Sequence, residues 1–279
     1  ARRRAPPVSE GAHKVVFHRP FAKGDTYKLA AEISVHSEGS MGLDGAGSQG
    51  GVEKGTGSLS GSVRVMDVNA IGEPTMYMVH VDKAESKTGD KPDPVKLAGT
   101  DLGVSFPSGK ARFVRRDNQP INQDEETLLS MIFSPPNGVS ADEILGPGKD
   151  VKPGDSWPVN REALAKVFSG GETDPKKALD PSRLDGTVTF VGVEDWDGIP
   201  CLRLKTKVTI NNPEMPNFVG EASMEFRQEV LVPKDPSLKL SKDISEQYSD
   251  VRGKLLSGDG KKLDIKGKNQ VTIQTVITK

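Results

Sequence analysis

The sequence predicts a mainly β protein: antiparallel meander sheets curling into two half-barrel or sandwich-like subdomains, with a few short helices between them. Three observations predict it. The first is strict alternation in the C-terminal part of the chain. Between Val219 and Val232, Ala222, Met224, Phe226, Gln228, Val230 and Val232 share one face, while Glu221, Ser223, Glu225, Arg227 and Glu229 share the other. A period of two sets one row against a core and the other against water. The second is the turn chemistry between such runs. Trp196-Asp197-Gly198 joins two of them, and Asp-Gly tolerates the positive φ that a tight hairpin requires. The third is that helical spacing is confined to short stretches in the middle of the chain.

Taken in order, residues 1–12 read as a disordered tail, basic at Arg2-Arg3-Arg4 and then rich in proline and small residues. Asp25 to Glu38 is the first strand, with Tyr27, Leu29, Ala31, Ile33 and Val35 on one face. Gly39 to Gly57 reads as a loop, because each glycine loses more backbone entropy on ordering than other residues do. Strands resume over Ser58–Val68 and Thr75–Glu85, the latter with Tyr77, Val79 and Val81 inward. Its other face carries Met76, Met78 and His80, which suggests partial cover there too. Lys87 to Pro94 is a polar loop, and short strands are expected at Leu102–Phe106 and Ala111–Arg115. Asn122 to Phe133 has the strongest helical pattern. Leu128, Leu129, Ile132 and Phe133 form a stripe, and Asp124, Glu125 and Glu126 fill the first turn, where the helix dipole favours negative charge.

Pro135-Pro136 ends that helix. Ser140 caps a single turn, and Asn160 caps a helix to Phe168 that Gly170-Gly171 stops. Asp174 to Leu179 suggests one more turn of helix. Strands then return at Thr187–Glu194, Ile199–Ile210, Val219–Val232, Leu238–Val251 and Lys262–Ile277, with a turn at Ser257-Gly258-Asp259-Gly260. The expected division is an N-terminal β subdomain over 13–150 and a C-terminal antiparallel one over 151–279.

Composition excludes several functions. With 38 basic and 39 acidic residues the net charge is -1, so there is no electrostatic footprint for nucleic acid. Aromatics are 5% of the chain, too few for an extended stacking surface. The single cysteine, Cys201, allows no intrachain disulfide. No apolar run approaches a membrane-spanning length, and no leader opens the chain. An exported product would have had its leader removed.

The motifs in the chain fail on their context. Gly45-Ala46-Gly47-Ser48-Gln49-Gly50 matches the glycine pattern of a dinucleotide site, but more glycines follow where a helix must open. His13, His18, His36 and His80 have no ligand spacing and no third partner, so no metal is expected. Cys201 shares a face with Arg203, Lys205 and Lys207, cations that lower a thiol pKa, yet no histidine is close in sequence to serve as base. Glu194, Asp195 and Asp197 bunch at a hairpin tip, where Asp is favoured for backbone reasons. No cofactor is implied. The remaining site candidate is a polar face on which Arg203, Lys205 and Lys207 oppose Glu221, Glu225 and Glu229. If the sheet curls around that face, Arg203, Lys205, Lys207, Glu221 and Glu225 are the expected ligand contacts.

The segment Gly148-Lys149-Asp150-Val151-Lys152-Pro153-Gly154-Asp155-Ser156-Trp157-Pro158-Val159 resembles one in uncharacterised exported, lipoprotein-like bacterial proteins, in which V-K-x-G-D-x-W precedes a strand-rich half. The resemblance implies an envelope or extracellular location: periplasmic, envelope-attached or secreted. It implies no activity. The residues read independently as a turn at Pro153-Gly154 beside an anchoring tryptophan. The favoured expectation is therefore a non-enzymatic exported protein binding a small molecule, lipid, glycan or envelope protein. A hydrolase with a site assembled from distant strands, and a structural module of an envelope assembly, are the alternatives.

Overall fold

A computed structural model describes residues 11–43, 49–169, 179–212, 218–256 and 262–279. The N-terminal strands are β1 (Thr26–Leu43), β2 (Gln49–Val68), β3 (Pro74–Thr88), β4 (Lys91–Pro92), β5 (Asp101–Ser105) and β6 (Arg112–Arg115). Next come α1 (Gln123–Ile132), α2 (Ala141–Leu145), β7 (Ser156–Pro158) and α3 (Arg161–Phe168). The chain closes with β8 (Leu184–Trp196), β9 (Ile199–Asn211), β10 (Phe218–Pro233), β11 (Ser241–Leu256) and β12 (Lys262–Thr278). Among the described residues the twelve strands form one open antiparallel sheet, ordered β6-β5-β3-β2-β1-β12-β11-β10-β9-β8-β7, with β4 on β3. At the β8–β9 hairpin Asp197 and Gly198 have φ of 52° and 79°, the primed turn the sequence indicates.

Two findings correct the strand reading. The stretch from Gly39 to Gly57 is strand wherever it is described, not loop, because neighbouring strands supply ladders: β12 and β2 flank the β1 part, β1 pairs with all of the β2 part, and β3 joins from Gly55. Gly39 pairs with Gly267 and Gly51, and Gly55 with Val35 and Thr88. Regular cross-strand hydrogen bonds offset what the glycines lose in entropy. The face with Met76 and Met78 is open, not partly covered: these residues are 45% and 38% exposed. Gly45–Ser48 of the glycine motif, most of the Asp174–Leu179 turn and the Ser257–Gly260 turn lie outside the described residues.

One sheet spans the expected boundary at 150/151, because β1 pairs with β12 along its length, from Lys28↔Thr278 to Leu43↔Leu263. Two hydrophobic cores nevertheless lie on the same face of it, one toward each end. On the N-terminal side Leu29, Leu59, Val63, Val79, Leu102 and Val104 pack with Leu129 and Phe133 of the α1 region. Asn122 caps α1 reciprocally with Glu125. Glu125 is buried and also accepts from the Lys96 amide at 2.8 Å. The Leu128 methyl lies 2.8 Å from where a Cβ on Gly57 would stand, so glycine lets the helix sit directly on the sheet. On the C-terminal side Leu184, Val188, Phe190, Leu204 and Val208 pack with Ala163, Leu164 and Trp157. Trp157 is buried and donates from Nε1 to the Leu145 carbonyl at 2.7 Å, the anchoring role its sequence position suggests. Gly186 lets Val159 approach as Gly57 lets Leu128.

The N-terminal segment 13–25 links the two ends. His13 bridges Val151, and the Phe17 amide donates to Asp142 at 2.6 Å. The Phe21 and Gly24 amides donate to the carbonyls of Gly72 and Val65 at 2.9 and 2.8 Å. Between these points the Arg19 guanidinium donates to the carbonyls of Pro233, Asp235 and Leu238 at 2.5, 2.9 and 2.8 Å. Lys239 pairs with Asp25 and lies over the Phe21 ring. The segment thus straps the foot of the sheet to the β10–β11 turn.

Candidate functional site

Between the two cores the covered face carries a strip of rows flanked by α1 and α3, here called the trough. On the covered face one row runs Gly57, Ile33, Ile273, Ser245, Gln228, Thr206, from β2 to β9. The next row runs Gly55, Val35, Val271, Gln247, Phe226, Val208. Helix α1 walls the first end. A cleft of about 190 Å³ there is lined by Ile33, Val35, Gly55, Gly57, Leu128 and Met131. At the other end Phe168 of α3 stands 4.9 Å, centroid to centroid, from Phe226. Between the walls the side chains of β11 and β12 on these rows are half-buried.

The floor changes character from side to side. Its β1 and β12 half is aliphatic. Its β11 residues are Ser241, Asp243, Ser245, Gln247 and Ser249, a polar stripe set by alternation. Asp243 is the centre of a small polar island. Its carboxylate accepts from Gln228 Nε2 at 2.5 Å and from Ser245 Oγ at 2.7 Å. Burial pushes its pKa above the ordinary aspartate value, although both hydrogen bonds oppose the shift. Thr206, opposite Gln228, is 7% exposed, and its Oγ1 has no hydrogen-bond partner among the described residues. A carboxyl held up by desolvation, with Gln228 between it and an unpaired hydroxyl two strands away, marks a candidate ligand site.

The residues singled out in the sequence lie on the opposite, outer face. The structure brings Arg203, Lys205, Lys207 and Glu225 together, and they pair across strands. Arg203 reaches Glu229 at 2.5 Å and Glu194 at 3.4 Å, and Lys205 reaches Glu229 at 3.1 Å. Lys207 and Arg227 reach Glu225 at 2.9 and 2.5 Å. The hydrogen bond from Lys207, with that from Arg227, holds the Glu225 carboxyl below its usual range. Glu221 lies farther along β10, opposite Arg252 and exposed. A hollow of about 350 Å³ near Glu225 is lined by His36, Tyr248 and Gln270, and Arg227 lies over the Tyr248 ring at 4.8 Å.

The other candidates are local. Cys201 is fully buried at the foot of β9, where burial raises its thiol pKa against the nearby Arg19. Asp195 accepts from the Gly198 amide at 2.9 Å, a turn contact. His80 bonds Asp101 at 2.7 Å on exposed strand faces. His36 and His80 sit on β1 and β3, opposite Lys54 and Ser62 of the intervening β2, so they do not meet. Among the described residues no group of three His, Cys, Asp or Glu side chains is placed to hold a metal, and no helix is long and apolar enough to cross a membrane.

No protein-family model matches the chain, and no curated protein matches it. A solved lipovitellin structure, concerned with lipid–protein interactions, aligns with TM-score 0.29 and 8% identity over 90% of this chain and 25% of that one. This chain thus spans about a quarter of that structure's length. A Pseudomonas aeruginosa FadL homologue aligns with TM-score 0.19 and 9% identity over 97% of this chain and 99% of that one. An outer membrane channel from Pseudomonas putida F1 gives 0.21 and 7% over 94% and 98%. Likenesses this slight carry no argument, and the site stands on the chain's own geometry.

Proposed function

We propose that this chain is a non-enzymatic binding protein that holds a small, partly apolar ligand in the trough of its covered face. The observation that carries the reading is the floor between the two cores. Its β11 and β12 side chains are half-buried, and its aliphatic half meets a desolvated polar island at Asp243. Ligand sites combine concave apolar surface with a few placed polar groups, and these rows supply both. An exported bacterial setting is supported by the resemblance of residues 148–159, and cell fractionation of the native product tests it.

The trough is tested with a neutral apolar fluorophore, N-phenyl-1-naphthylamine. Saturable binding to the native chain is expected. A Cβ on Gly55 would meet nothing closer than 3.4 Å, so Gly55→Leu extends into the cleft without disturbing the ladder. It is expected to weaken the probe at least ~10-fold, the effect of about 1.4 kcal/mol, with an unchanged circular dichroism spectrum. Unchanged affinity would remove the reading. The outer face is the second reading, favoured by the hollow beside Glu225. On that account Arg203, Lys205, Lys207, Glu221 and Glu225 are the contacts, and Lys207→Ala rather than Gly55→Leu abolishes binding.

A further inference from the structure

The polar island carries information about the ligand itself. With Gln228 Nε2 directed at Asp243, the Gln228 carbonyl oxygen remains as an acceptor. Asp243 brings two acceptor oxygens, each with one donor already assigned. Thr206 adds a buried hydroxyl that has no partner among the described residues. The second Gln228 Nε2 hydrogen and the Thr206 hydroxyl are the donors left over, and the one charge of the island is the Asp243 carboxylate. A buried hydroxyl without a partner is costly, and a ligand hydroxyl would satisfy it. A ligand carboxylate has only acceptor oxygens and would meet Asp243 and the Gln228 carbonyl unfavourably.

The aliphatic half fixes the other end of the ligand. Ile33 and Val35 line the cleft with Leu128 and Met131, and on β12 they pair with Ile273 and Val271. From Ile33 on β1 to Thr206 on β9 is four inter-strand steps, roughly 19 Å, enough for a medium-length acyl chain followed by a small head. Resting on the trough reading above, we propose that the trough takes a single-chain amphiphile, its tail on Ile33, Val35, Val271 and Ile273 under α1 and an uncharged hydroxyl-bearing head on Thr206, Gln228 and Asp243.

The test displaces bound N-phenyl-1-naphthylamine from the full chain with 1-monolauroylglycerol, laurate or glycerol, each below self-association and at pH 8. Monolauroylglycerol is expected to displace the probe at ~10-fold lower concentration than laurate, and glycerol is not expected to displace it. Thr206→Val keeps the side-chain shape and loses the hydroxyl, and Gln228→Met keeps the length and loses the amide. Each is expected to erase the preference for the glycerol head, read as the ratio of the two displacing concentrations within each variant, so that any change in probe affinity cancels. Equal displacement by laurate, or a preference that survives both substitutions, would overturn the head-group assignment while leaving the trough standing. A native chain that does not bind the probe would overturn both.

Discussion

Asp243 and Glu225 are carboxylates of the same sheet with opposite environments, so they should affect stability with opposite signs. Burial raises the folded-state pKa of Asp243 above its value in the unfolded chain. Its contribution is fully present below the ordinary aspartate range and is lost as pH rises through the raised value. Asp243→Asn is expected to remove that loss. Urea midpoints of the native chain should fall relative to the variant as pH rises above the ordinary aspartate range, and parallel curves would count against the desolvated site. Glu225 is held low by Lys207 and Arg227, so its contribution is present at neutral pH and is lost on acidification.

Gly57 provides a packing test. A methyl there meets Leu128 at 2.8 Å, while one at Gly51 meets nothing within 4 Å. Gly57→Ala is expected to cost about 1–3 kcal/mol by overpacking, and Gly51→Ala less, by chemical denaturation. Gln228 was visible in the sequence as a polar residue in an apolar row. The isolation of the Thr206 hydroxyl was not, because it depends on what β9 meets across β10.

At the scale of elements, the local signals were the legible ones. The cap and acidic first turn of α1 lie within four residues of one another, and the helix begins where they indicate. Asn122→Ala is expected to cost about 1 kcal/mol, read as a shift in the denaturation midpoint. A larger loss would mean that Glu125, which also accepts from Asn122 N at 3.0 Å, has lost its position under the sheet. The glycine-rich β1–β2 region was not legible. Its strand character comes from Val35, Gly267 and Thr88 on neighbouring strands, and no residue within it announces them. The charged rows were legible as a face: Lys205 lies opposite Glu229, and Lys207, opposite Arg227, pairs diagonally with Glu225. Which side of the sheet the helices would cover was not.

At the scale of the molecule, the β1–β12 pairing and the strap turn two core-bearing halves into one object. Neither has a local sequence signature, since both join residues more than two hundred positions apart, as in Lys28↔Thr278 and the Arg19 bond to Asp235. Arg19→Ala removes the donors that hold the strap to the β10–β11 turn. It is expected to lower the melting temperature and to speed proteolysis within residues 11–25, and native-like protection would show that the strap is held elsewhere. The same closure places the trough between the cores, and the central claim is that this trough binds.

Methyl-resolved NMR during titration with N-phenyl-1-naphthylamine tests that claim most directly, because the two faces carry separate reporters. Ile33, Val35, Val271 and Ile273 line the trough, while Val52 and Val219 are 62% and 66% exposed on the outer face. The account predicts saturable shifts at the first four and none at the last two. Shifts at Val52 and Val219 with the trough methyls unmoved would contradict it.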